Sequence, residues 1–232
     1  GGSILEPPIP RAQDDGDTYS KLTKHLYDSL TEPQRQVWDS PERFKMLCSG
    51  RRFGKTYLCL ARLICWAAEK PGSLCWYATQ SYVSAKQIAW RQLKEMMPRE
   101  LMAKSNETEL SVELTNGSRI QLKGAERADS LRGVSLSALV LDEAAYVPKD
   151  AWEMVLRPAL SDQRGPAWFI STPSGLNHFH DWWEQAQQES DWTTFSFTTV
   201  QGGNVPPEEV AAARRTLDER TFRQEYLASF ET

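Results

Sequence analysis

Short apolar runs alternate with amphipathic stretches along most of the chain. Between residues 19 and 30, Leu22, Leu26, Tyr27 and Leu30 recur at helical spacing. Thr31-Glu32-Pro33-Gln34 then restarts a helix, with Thr31 as N-cap and proline in the first turn. Residues 44–48 form a short apolar run that predicts a strand, and 55–69 an apolar helix buried on several sides. A second strand is expected over 73–78 and a helix over 81–97, stopped by Pro98. Residues 110–115 and 119–123 alternate around Asn116-Gly117, a hairpin signal. Residues 138–141 and 167–171 are continuous apolar strands ending in Asp142-Glu143 and Thr172-Pro173. After Gly175 come a Trp-rich helix, a strand over 192–200 and two charged helices between 206 and 230. Apolar strands alternating with helices imply an α/β fold whose mostly parallel sheet is covered on both faces.

Length and composition agree with one domain of this kind. A chain of 232 residues, 40% hydrophobic and 25% charged, buries a good core. Residues 1–18, beginning with a Gly1-Gly2-Ser3 cleavage remnant and rich in Pro, Asp and Gln, read as a flexible arm. Residues 19–175 are expected as the core and 176–232 as a small lid subdomain with the last helices. No apolar run approaches the roughly 20 residues of a membrane span. Cys48, Cys59, Cys65 and Cys75 show no CxxC pairing, and His25, His178 and His180 are scattered, so neither set suggests a metal site. The net charge of −4 does not advertise a nucleic-acid binder, although a motor can confine its basic residues to one face.

Candidate chemistry starts at the end of the first strand. Ser49-Gly50-Arg51-Arg52-Phe53-Gly54-Lys55-Thr56 follows the phosphate-loop pattern G-x-x-x-x-G-K-[ST], with Ser49 in place of the first glycine. Backbone amides around Gly54 and the next helix's N-terminus suit phosphates, Lys55 reaches the β/γ oxygens, and Thr56 offers a hydroxyl to Mg²⁺. A G-K-T turn at a helix start is also a common surface feature. Here an apolar strand precedes it and an apolar helix follows, as the motif requires. Arg51 and Arg52 read either as a solvated basic turn or as cations facing a triphosphate.

Asp142 and Glu143 form the matching acid pair. Asp142 at the strand end suits Mg²⁺ held through water, and Glu143 suits activation of the attacking water. A capping pair at a strand-to-loop corner is the plainer alternative. Ser171, Thr172 and Pro173 end a third strand where a ligand would sit, and read as a γ-phosphate sensor that relays its loss onward. With these motifs the expected fold is a P-loop NTPase of the RecA-like (ASCE) kind, with a C-terminal lid.

With the three motifs in this order, the chain resembles the ATPase domain of tailed-bacteriophage terminase large subunits over about residues 30–230. The S-G-R-R-F-G-K-T loop resembles that family's deviant phosphate loop. Asp129-Ser130-Leu131-Arg132-Gly133 resembles its stretch before the acid pair, and Ser171-Thr172-Pro173-Ser174-Gly175-Leu176-Asn177 its coupling motif. The segment Phe222-Arg223-Gln224-Glu225-Tyr226 resembles the end of the family's ATPase part.

The resemblance implies ATP hydrolysis with Mg²⁺ that drives double-stranded viral DNA into a procapsid. It assigns catalytic roles to Glu143, to Arg51 within the subunit and to Arg132 in a neighbour's site. It places Gln34 at adenine, beside the nucleotide-binding residues Ser49, Gly50, Arg52, Gly54, Lys55, Thr56 and Asp142. The implied partners are portal protein, a small terminase subunit and further copies in a homo-oligomeric ring, a pentamer by resemblance. The implied location is the host cytoplasm, docked transiently on the procapsid, without membrane association or secretion. No cluster of metal-binding acids suggests DNA cleavage by this chain. A superfamily 2 helicase-like translocase shares Gln34, the acid pair and a hydroxyl motif, and is the nearest alternative.

Overall fold

The computed structural model describes residues 13–50, 52–173 and 177–229. Two helices come first, α1 (Gln13–Asp28) and α2 (Glu32–Asp39), followed by β1 (Phe44–Ser49), α3 (Lys55–Glu69) and β2 (Leu74–Thr79). Helix α4 (Tyr82–Ala85) passes through a π-helical turn (Lys86–Trp90) into α5 (Arg91–Met96). Strands β3 (Met102–Asn106), β4 (Ser111–Leu114) and β5 (Arg119–Gly124) lead through a 3₁₀ segment, Ala125–Leu131, to β6 (Ala138–Asp142). A π-helical stretch, Ala151–Leu156, enters α6 (Arg157–Ala159) and then β7 (Ala167–Ser171). The chain continues through α7 (His178–Ala186), β8 (Trp192–Phe197), α8 (Thr199–Gly202), α9 (Pro207–Thr216) and α10 (Glu219–Tyr226).

The eight strands form one sheet in the order β3-β4-β5-β2-β6-β7-β1-β8. From β5 to β8 all neighbours run parallel, and β3, β4 and β5 pair antiparallel at one edge. Every residue of β1, β6 and β7 is buried. Alternation along the strands therefore divides two cores instead of separating core from solvent. Leu47, Tyr77, Val140 and Ile170 pack with α1 and α3 on one face. Met46, Ala78, Leu141 and Phe169 pack with the 151–159 helical stretch and α7 on the other. Parallel strands with helical crossovers bring the ends of β1, β2, β6 and β7 to one edge, where the candidate residues lie.

Four expectations change. Helix α1 begins at Gln13, so residues 13–18 are helical and not part of an arm. Strand β3 and the helical stretch 151–159 were not foreseen; β3 is polar and mostly exposed, which hides it from a hydrophobic pattern. Strand β8 lies inside the segment expected as a lid, yet it pairs with β1 in the main sheet. It ends at Phe197, because Thr198 caps α8 with the reciprocal bonds of a capping box to Gln201. Beyond it, Val205, Val210 and Phe222 form a small core of their own.

Candidate functional site

The phosphate-loop sequence joins β1 to α3. Gly54 is the N-cap of α3 in the left-handed region (φ +83°), and a Cβ there would lie 2.5 Å from Gln34 Nε2. That close approach follows from the bracing of the loop. Gln34 Nε2 donates to the carbonyls of Phe53 (3.0 Å) and Gly54 (3.3 Å), and Asn204 Nδ2 donates to Phe53 O at 2.9 Å. Gln34 Oε1 meanwhile accepts from Thr31 N–H at 2.9 Å. Both ends of the Gln34 amide are thus engaged by the protein itself. At the other end of the loop, Gly50 N–H donates to Phe197 O at 2.9 Å. A Cβ on Gly50 would meet Thr199 Oγ1, Thr199 N and Tyr226 O within 2.7 Å. The loop is therefore gripped by α2 on one side and by the segments around α8 and α10 on the other.

The acid pair faces this loop. Lys55 Nζ lies 2.7 Å from Glu143 Oε1, both side chains about four-fifths buried. Asp142 is wholly buried. Its Oδ2 accepts the Tyr77 hydroxyl, and its Oδ1 accepts the Glu143 backbone N–H at 2.8 Å. Burial pushes the Asp142 carboxyl upward, opposed by the Lys55 charge. For Lys55 burial works against the ammonium, but the charges of Asp142 and Glu143 outweigh it and hold its pKa above the ordinary value. Glu143 itself adopts left-handed backbone (φ +49°), unusual for a residue with a Cβ.

Ser171 closes the arrangement from β7, its Oγ accepting from Ala145 N–H at 3.3 Å. At the start of α7, Asn177 Nδ2 donates to Ala145 O (3.1 Å), and His178 Nε2 lies 3.2 Å from Ala144 O. The loop behind the acid pair is thus tied to both β7 and α7. A cleft of 670 Å³ runs between these parts, lined by Gly50, Arg52, Gly54, Lys55, Thr56, Glu143 and Thr172. Gln92, Tyr146, Thr221 and Glu225 also line it. A neighbouring hollow of 450 Å³ is bounded by Ser29, Thr31, Gln34, Tyr57 and Asn204.

Most of the residues expected at the site converge here. Ser49 is fully buried at the end of β1, and Pro173 lies just past the lining residue Thr172. Arg132 is different: it is exposed, with Nε 3.2 Å from Asp129 Oδ1 and Nη1 3.4 Å from Met154 O, and it does not line its own chain's cleft. Arg51 and residues 174–176 lie outside the described residues. None of Tyr77, Asn204, Thr221 and Glu225 was expected at the site, although Glu225 lies in the 222–226 segment that resembles the family's. Tyr77 sits in an apolar strand run, and Asn204 and Thr221 in loop or helical stretches with no local motif. The signal available for Tyr77 was its parity along β2. For a hard cation such as Mg²⁺ the site offers oxygen donors, the Asp142 carboxylate and the Thr56 hydroxyl. Each Asp142 oxygen accepts one hydrogen bond in the structure and keeps a further lone pair, so the donor set fits.

A mostly parallel, doubly covered sheet with a phosphate-loop sequence after its first strand defines an α/β protein of the P-loop class. The model of the terminase large subunit family (T4likevirus-type, N-terminal part) matches residues 46–232. The chain belongs to that family. It is 31% identical over 198 residues to the terminase large subunit of Escherichia phage T5, covering 83% of this chain and 45% of that protein. Among solved structures it is similar to the large terminase ATPase domain of Thermus phage P74-26: TM-score 0.79, 24% identity, 89% of this chain and 96% of that one. It is also similar to the large terminase of the thermophilic bacteriophage D6E in complex with ATP-gamma-S: TM-score 0.74, 16% identity, 87% of this chain and 53% of that one. The chain spans about half the length of the curated relatives it matches. None of these likenesses is to a helicase.

Proposed function

We propose that this chain hydrolyses ATP to drive double-stranded DNA into a viral procapsid, as part of a terminase motor. The observation that carries this reading is the Lys55–Glu143 pair at 2.7 Å, which bridges the phosphate loop and the acid pair across the cleft. Support for the nucleotide comes from the D6E relative, which was solved with ATP-gamma-S.

The phosphates lie along the loop, with the amides near Gly54 and the start of α3 as donors and Lys55 at the outer phosphates. Arg52 and Arg51 add positive charge from the loop. Mg²⁺, when bound, neutralises phosphate charge, with Thr56 and Asp142 as its protein donors. As the γ-phosphate draws the Lys55 ammonium toward itself, Glu143 is released to take the proton of the attacking water. Gln34 braces the loop beside the hollow where a base would sit. Arg132, exposed and not lining its own chain's cleft, acts on a neighbour's site in a homo-oligomeric ring, where it stabilises transferring charge. Ser171, Thr172 and Pro173 pass the loss of phosphate to α7 and the C-terminal helices, which serve as the lid. DNA, portal protein and a small terminase subunit are the partners, in the host cytoplasm at the procapsid. Among the described residues no helix is long and apolar enough to cross a membrane.

The test is Glu143→Ala. It should bind ATP as the parent does and lose turnover by about 10²–10⁴-fold, the usual contribution of a positioned base. Undiminished turnover would remove Glu143 from the mechanism.

A further inference from the structure

Strand β2 is an apolar run in which phenylalanine would serve packing as well as Tyr77 does. Tyr77 is fully buried on the α3 face of the sheet, in register with Val140 of the neighbouring β6. Asp142 lies two residues further along β6, on the same face by the period of two. The ring therefore extends along the strand direction and brings its hydroxyl to Asp142 Oδ2, while the Glu143 N–H occupies Oδ1 at 2.8 Å. The two donors hold the carboxylate plane from opposite oxygens. A buried tyrosine hydroxyl needs an acceptor. Here that acceptor is the carboxylate that the ATPase reading assigns to a cation.

We propose that Tyr77 is a positioning residue for the divalent-cation site: it acts through Asp142 and sets the orientation in which that carboxylate meets Mg²⁺. The inference rests on the ATPase reading of the cleft. Groups that hydrogen-bond to a ligating side chain typically govern metal affinity by 10–100-fold. The Tyr77 hydroxyl stands in that relation to Asp142.

The experiment follows binding of a non-hydrolysable ATP analogue as Mg²⁺ is titrated, for the parent, Tyr77→Phe and Thr79→Val. Thr79 lies on the same face of β2, and its hydroxyl is fully buried without a hydrogen-bond partner in the structure, so its replacement controls for disturbing the strand. Tyr77→Phe is expected to raise the Mg²⁺ concentration for half-saturation about tenfold or more. Its metal-free affinity for the analogue should stay within about twofold, and Thr79→Val should follow the parent in both. An unchanged Mg²⁺ response in Tyr77→Phe overturns the proposal. So does an equal loss with and without metal, or an equal shift in Thr79→Val. Failure of Tyr77→Phe to fold, with its ring intact, also overturns it, because the hydroxyl would then be holding the core. If the parent binds the analogue no better with Mg²⁺, the reading of the cleft fails instead, a result distinct from all of these.

Discussion

The parallel strands have two unlike ends. Toward the start of β1 and β8 the chain places Phe44 and Trp192, 4.8 Å apart; Phe169, midway along β7, joins them 5.1 Å from Trp192, and Trp152 from the 151–159 stretch lies 4.6 Å from Phe169 in an edge contact. Where β1, β6 and β7 finish, it places Ser49, Asp142 and Ser171, all fully buried polar groups. Positive φ values at Arg52, Gly54 and Glu143 cluster beside this second end. Backbone in sparsely populated regions costs stability and persists only where surrounding contacts over-determine it. One end of the sheet thus fills space with rings, and the other holds buried polar groups beside a strained phosphate loop and acid pair. The aromatic end should then govern whether the domain folds, and the polar end what the folded domain does.

The largest test of this division is Phe169→Ala. Removing a fully buried ring that contacts three tryptophans should lower stability by about 3–5 kcal/mol. Chemical denaturation reads that loss, and turnover per folded molecule, measured below the melting transition, should stay close to the parent's. A matched loss of turnover in the folded fraction would mean that the two ends are coupled and break the comparison.

Gly54→Ala should do the reverse, with a smaller stability effect. Alanine at φ +83° costs about 1–2 kcal/mol, and its Cβ would crowd Gln34 Nε2, which already donates to two loop carbonyls. Stability should fall by about 2 kcal/mol, while nucleotide affinity drops by about tenfold or more as the loop shifts. Calorimetric binding beside thermal melting separates the two. Unaltered affinity would show that the loop's shape is not what the α2 brace maintains.

How much of this was legible in the sequence follows the same division. β1, α3, β2, β6 and β7 announced themselves because both-face burial writes continuous apolar runs, the β4–β5 hairpin through alternation around Asn116-Gly117, and the loop and acid pair sat at the ends of β1 and β6. Strand β3 did not, since its Lys104 and Ser105 face solvent. The place of β8 in the main sheet depends on pairing with β1, about 150 residues earlier, which no local pattern encodes. The site was readable where chemistry sits in contiguous motifs, as in Lys55-Thr56 and Asp142-Glu143. Asn204 and Thr221 reach it through tertiary folding alone, and Tyr77 showed only in its parity along β2. The engaged amide of Gln34 was likewise hidden, although the capping box that supplies its Thr31 contact was partly visible as Thr31-Glu32-Pro33-Gln34.

The smallest expected effect probes the one residue that crosses the division. Lys45 and Asp142 are the buried charged residues among those described, and Lys45 lies toward the aromatic end. Its ammonium donates to Val37 O (2.6 Å) and Trp38 O (3.0 Å), closing the last turn of α2, with the Trp168 ring 5.1 Å away. Burial first, and the Arg62 charge second, lower its pKa to about 8 from the ordinary 10.5. Between those values the unfolded chain binds the proton that the folded chain has released, so this group's contribution to stability rises with pH across the window and levels off above it. Neutral lysine keeps two N–H donors, enough for both carbonyls. The buried thiols work in the opposite sense, because burial raises Cys48 and Cys75 to about 12 and their contribution falls as pH climbs. The quantity to measure is therefore the stability of the parent minus that of Lys45→Met, in which the cysteines cancel. From about pH 7.5 to pH 9 this difference should move in the parent's favour by on the order of 1 kcal/mol. A difference that stays flat would mean that Lys45 remains charged throughout, and that the aromatic end tolerates a buried cation as readily as the polar end tolerates Asp142.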